Sequence, residues 1–210
     1  MAAWFAAVLM RCVAAILVAA VSVCAAPNAG RTVTVLVQFE KPYSTDSVAA
    51  LRHELQLQFQ PVGLKVDLLL ADNVAANSEF NDLVVFKMKG ACTMIPLPLG
   101  AMIDERGPLA MSYSSDGEIL HFGEVQCDRV RRSIERVLVR GSPEKSQSLF
   151  GAALGRVMAH EIYHMIADVK GHTHSGVTKA SLSAEELLSG ELPISNSAKA
   201  AVEHRLSPVR

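Results

Sequence analysis

Aromatic side chains are scarce in this chain: Phe, Tyr and Trp make up 5% of its 210 residues, with a single Trp. So few flat rings leave no platform on which bases or sugars would stack. Charge of one sign is lacking as well. The formal net charge is −1 and no long basic run occurs, which excludes nucleic acid as an expected partner. No internal repeat, low-complexity tract or propeptide with a cysteine switch is visible. A single domain over residues 27–210 is therefore expected, at a length that supports a full core.

Long apolar runs are missing from all but the first 26 residues. Met1 to Ala26 is apolar apart from Arg11 and Ser22, and it ends in the small residues Cys24-Ala25-Ala26 before Pro27. This pattern is that of a secretory signal peptide, with cleavage near Ala25 or Ala26, and it places the mature protein outside the cytoplasm, secreted or periplasmic. An uncleaved N-terminal anchor, a lipid-bearing Cys24 and a buried helix remain open for the same stretch. No other membrane contact is expected. Export would remove Cys12 and Cys24 and leave Cys92 and Cys127 in an oxidising compartment. One disulfide is the simple expectation. It closes a loop of about 36 residues and contributes roughly 4 kcal/mol in the chain-entropy picture. Two buried free thiols are the alternative.

Along the mature chain, Val33, Val35, Val37 and Phe39 alternate as in a strand, and Val48, Leu51, Leu55 and Phe59 recur at helical spacing behind a Ser44 or Thr45 cap. Arg52, His53, Glu54 and Gln58 fall off that stripe. Pro61 stops the helix, and alternation from Val62 to Leu70 marks a second strand, so the chain opens β-α-β with parallel pairing expected. Leu83 to Met88 is a third strand. Pro96, Pro98, Gly100 and Gly107 punctuate an irregular stretch. Asp116-Gly117 between two extended runs signals a hairpin. Asp128 is the expected cap of a helix running to Gly141, with Val130, Ile134, Val137 and Leu138 inward and several arginines outward. The arginine face reads as a solvated surface, with a phosphate or membrane contact as the other option. Ser142-Pro143-Glu144 starts the next helix, expected to run to about Asp168 with Gly171 as its stop. Ala184 to Leu188 reads as a short helix.

That last long helix carries His160-Glu161-Ile162-Tyr163-His164. On a helix, residues four apart face the same way, so His160 and His164 can hold one zinc ion while Glu161 reaches a water beside it. Burying all three without partners would be costly, which argues for a site over a packing accident. A solvent-facing polar patch is the bland alternative. Tyr163 reads as packing, and His53, His121 and His204 fall elsewhere. Lys170 and Lys179 are placed to steady the loop beyond.

The element order together with this motif resembles the metzincin side of the zincin metallopeptidases, over Thr32 to about His174. The resemblance implies an α+β fold, with a mixed twisted sheet, a backing helix and an active-site helix. It also implies a third histidine after a glycine, but the family's positions hold Ala167 and Lys170 here. Gly171 comes later, followed by His172 and His174, and one extra helical turn would absorb the offset. No methionine follows Met165, so the family's methionine turn is absent or replaced. The chain thus resembles a divergent zincin. His172, the first imidazole after the break, is the expected third ligand, with His174 and Glu185 or Glu186 still open. The expected activity is peptide-bond hydrolysis by a zinc-activated water, with Glu161 as general base and acid and a peptide or protein as substrate. The alternatives are an extracytoplasmic binding protein that keeps the zincin fold and its metal, and a membrane-anchored structural protein. The sequence indicates neither a specificity pocket nor an oligomeric state.

Overall fold

The computed structural model describes residues 31–94, 106–138, 142–190 and 192–206. The apolar leader, the stretch 95–105 and Gly141 lie outside these residues. Five strands form one sheet in the order β2-β1-β3-β5-β4. They are β1 (Thr32–Phe39), β2 (Lys65–Leu70), β3 (Leu83–Lys89), β4 (Ala110–Ser115) and β5 (Glu118–Gln126). β1 pairs parallel with β2 and β3, β3 pairs parallel with β5, and only the edge strand β4 runs antiparallel. The sheet is mixed and the fold α+β, as expected.

The β4–β5 connection follows from Asp116-Gly117, where both residues take positive φ, 51° and 90°. A two-residue turn of this hand matches the twist of the flanking strands. At the other side of the hairpin, pairing slips between Ser112 and Ser114. Such an irregularity re-aims the side chains of one strand.

Helix α1 (Thr45–Phe59) starts at Ser44, whose side chain accepts from the Ser47 N–H. Its stripe of Val48, Leu51, Leu55 and Phe59 is buried as expected. Glu54 and Gln58 are buried too, contrary to their polar character, because α1 packs on a second helix as well as on the sheet. The second strand is shorter than its alternation implied. Gln60–Val62 forms one tight 3-10 turn around Pro61, and Gly63 with φ 68° then redirects the chain into Lys65.

Helix α2 (Cys127–Glu135) begins one residue before the expected cap. Asp128 lies inside the first turn, where it pairs with Arg131 at 2.8 Å and accepts from the Ala91 N–H. The helix also ends early, because the Val137 and Leu138 N–H groups both turn back onto the Ile134 carbonyl. Cys127 and Cys92 form a disulfide with Cα atoms 5.0 Å apart, tying α2 to the end of β3.

Helix α3 (Pro143–Ala167) is the axis of the molecule, buried almost continuously from Phe150 onward. Gly151 and Gly155 let it lie directly against α1. A Cβ at Gly151 would meet the Ser47 carbonyl oxygen at 2.2 Å, and one at Gly155 would meet Glu54 Cβ at 2.7 Å. Directly after Gly155, the buried Arg156 pairs with Glu54 at 3.0 Å. Arg156 also donates to the carbonyls of Glu186 and Leu187, holding helix α4 (Ala184–Leu188) against the core. Helix α5 (Asn196–Leu206) packs on α3 through Ala198 and Val202.

Candidate metal centre

The last two turns of α3 bring His160, Glu161 and His164 to the side of the helix that looks onto β4. α3 ends at Ala167. Asp168 takes the left-handed conformation (φ 52°, ψ 45°) and its N–H closes on the His164 carbonyl. There is no additional helical turn, and Gly171 is not the stop. The offset from the metzincin spacing lies instead in a longer non-helical path from Val169 to His172. Asp tolerates this backbone region better than most residues, which is why a glycine is not needed there.

That path folds back over the helix. One nitrogen from each of His160, His164 and His172 lies within 4.8 Å of the others. The rings of His172 and His160 stack with centroids 5.1 Å apart, and His172 meets His164 edge-on at 4.9 Å. His174 is exposed and is not in this group. Glu185 is also absent from it, and Glu186 is committed elsewhere, to Lys179 and to the Ser183 backbone N–H. His53, His121 and His204 are exposed and are not in this group.

The ring nitrogens are already oriented. His160 Nδ1 meets the Val177 carbonyl at 3.0 Å, and His164 Nδ1 meets the Val169 carbonyl at 2.5 Å. A carbonyl only accepts, so in both rings the proton sits on Nδ1 and a neutral ring presents a bare lone pair at Nε2. The two Nε2 atoms are 3.1 Å apart. Lone pairs at that separation repel unless a proton or a cation lies between them. Burial pushes His160 down to about 4, which disfavours the proton. A tetrahedral zinc ion about 2.0–2.1 Å from each nitrogen would hold them about 3.3 Å apart. The residues therefore fit zinc by donor type, tautomer and spacing, and backbone carbonyls on Nδ1 are the usual way such rings are steadied.

Glu161 is 8% exposed. Burial raises its carboxyl above the usual range, opposed by a hydrogen bond from the Ser112 hydroxyl to Oε2 at 2.9 Å. Ser112 belongs to β4, just before the slip in pairing. Two cavities meet at this centre. One, of about 330 Å³, runs beside Met111 to Ser114 and reaches Lys170. The other, of about 370 Å³, lies between Leu109, Val157 and Leu182. Both are walled by His160, Glu161 and His172. Tyr163 is buried beside His164 and packs, as expected.

Sequence reasoning missed Ser112, Val169 and Val177. The two carbonyl contacts carry no residue-type signal, since any backbone can supply them. Ser112 is one of several serines in the hairpin, and only the strand register singles it out.

No protein-family model matches the chain, and no curated protein matches it in sequence. Its structure is similar to the crystal structure of archaemetzincin from Methanopyrus kandleri. The TM-score is 0.50 at 12% identity, over 86% of this chain and 98% of that one. At that identity the likeness speaks for architecture, so the chain has an archaemetzincin-like α+β fold whose three histidines converge at the end of its longest helix.

Proposed function

We propose that the protein is an exported zinc metallopeptidase with His160, His164 and His172 as metal ligands and Glu161 as general base and acid. The observation that carries this reading is the convergence of two imidazole lone pairs whose Nδ1 atoms are already occupied, with a third imidazole beside them. When bound, zinc brings the pKa of a water towards 7 and polarises a carbonyl. Three protein ligands leave a fourth position open, as catalysis needs and a structural site does not.

The chain's own residues do the rest. β4 is an edge strand, so its free N–H and C=O groups can pair with an extended peptide and carry it past the histidines. Ser112 holds Glu161 Oε2, which leaves Oε1 to take the proton from the attacking water. Glu161 then passes that proton to the departing amine. Its raised pKa suits a group that must first accept and then donate.

Export and extracytoplasmic location rest on the apolar leader and on the Cys92–Cys127 pair, which suits an oxidising compartment. Residues 27–210 would then be the mature domain, and N-terminal sequencing of the exported protein checks the boundary. For the activity, the test is cleavage of a diverse peptide library by zinc-loaded protein and by Glu161→Ala. The variant is expected to keep its zinc and lose about 10²- to 10⁴-fold in kcat. Full zinc loading with no peptide cut by the native protein would reject the peptidase reading.

A further inference from the structure

We propose that the cavity between Leu109, Val157 and Leu182 is a subsite for a carboxylate carried by the substrate, with Lys179 as its specificity-determining residue. The inference builds on the peptidase reading above and names the class of substrate. The two cavities share His160, Glu161 and His172, so a peptide laid along β4 crosses the histidines and arrives at the second cavity. Side chains of an extended strand alternate in direction. A residue next to the cleaved bond can therefore project into that space, and about 370 Å³ is in the range of ligand pockets.

The lining of this cavity is mostly apolar. Apart from the histidines and Glu161, its one charged group among the described residues is Lys179. The ammonium is held in place from both ends. The Lys179 backbone bridges to Thr173, next to His172, and its N–H donates to the Gly176 carbonyl. At the far end, Nζ pairs with Glu186 at 2.5 Å. Glu186 is itself fixed by a reciprocal cap with Ser183, and its carbonyl receives the buried Arg156. Lys179 lines the cavity and Glu186 does not. An ammonium has three donors, and one is spent on Glu186. A carboxylate is the ligand that completes the remainder, and a cation pinned in advance loses little freedom on binding it. Two sources offer that group: an Asp or Glu side chain, and a free C-terminus one residue beyond the cleaved bond.

Matched substrates separate these sources. One pair carries Glu or Gln beside the cleaved bond, and the other ends there in a free or an amidated carboxyl. Each pair is given to the zinc-loaded protein and to Lys179→Met. A native preference of about tenfold in kcat/KM for the charged member of one pair is expected. It should fall to about twofold or less in Lys179→Met. Lys179→Gln, which keeps a hydrogen bond to Glu186, replaces the Met variant if that one does not fold. Equal rates on both members of both pairs in the native protein overturn the proposal, as does a preference that survives loss of the ammonium. Peptide binding to Glu161→Ala, with and without Lys179→Met, reads the same preference without turnover. Lys179-dependent binding with no cleavage by the native protein sinks the peptidase reading and keeps the subsite. Cleavage without preference does the reverse.

Discussion

Arg156 and His160 lie one turn apart on α3, and the polar groups around them are completed in opposite ways. Around Arg156, all three guanidinium nitrogens have protein partners: Glu54 takes two of them and the α4 carbonyls the third. Around His160 and His164, the protein satisfies Nδ1 of each ring and then aims the two Nε2 atoms at one another. Both clusters are largely buried and both join α3 to the segment after residue 168. The first is closed and holds the fold together. The second is left incomplete by the chain, as the proposed metal site requires. The comparison shows that burial of polar groups does not by itself mark a site. Function is marked by the hydrogen-bonding capacity left over after the protein has used what it can.

Substitutions sharpen that contrast, starting with the largest effect. His164→Ala should abolish stoichiometric zinc binding and turnover together. The stability of its metal-free form should change by less than in Arg156→Ala, because relief of the facing lone pairs offsets part of the lost packing and of the lost Val169 hydrogen bond. Equilibrium unfolding with and without zinc checks both halves. Arg156→Ala should destabilise the protein by about 3–5 kcal/mol by leaving Glu54 buried and unpaired. A double Glu54→Leu, Arg156→Met variant should recover most of that loss, and urea titration of the three proteins measures it. If Arg156→Ala were instead fully stable but inactive, the division between the two clusters would collapse.

Ser112→Ala carries the smallest expected effect, about a tenfold fall in kcat from loss of one hydrogen bond to a charged group. Because that bond stabilises ionised Glu161, its removal raises the carboxyl further. The acid limb of the kcat/KM profile should move to higher pH, with zinc content unchanged. A profile that shifts to lower pH would contradict the placement of Ser112.

Much of this is legible in the sequence. The helical spacing of His160 and His164, the turn at Asp116-Gly117 and the alternation of Val33, Val35 and Val37 are local patterns, each tied to one element. What could not be read depends on contacts across long stretches of chain. Glu54 looked like a surface residue because its partner, Arg156, lies 102 positions away. The end of α3 near Asp168 is legible, but its stop is not, because glycine is the commoner breaker and Asp168 itself adopts the left-handed turn here. Among the imidazoles after the break, residue type alone could not choose, since His172 and His174 differ only in where the loop points them. The Ser112 contact needed the strand register, and the Val169 and Val177 carbonyls needed the fold.

The most direct test is a crystal structure of the protein grown with zinc, with anomalous scattering recorded on both sides of the zinc absorption edge. One strong peak is expected, about 2.0–2.1 Å from a nitrogen of each of His160, His164 and His172. A zinc-loaded crystal with its peak elsewhere, or with the three rings turned away from one another, would contradict the account.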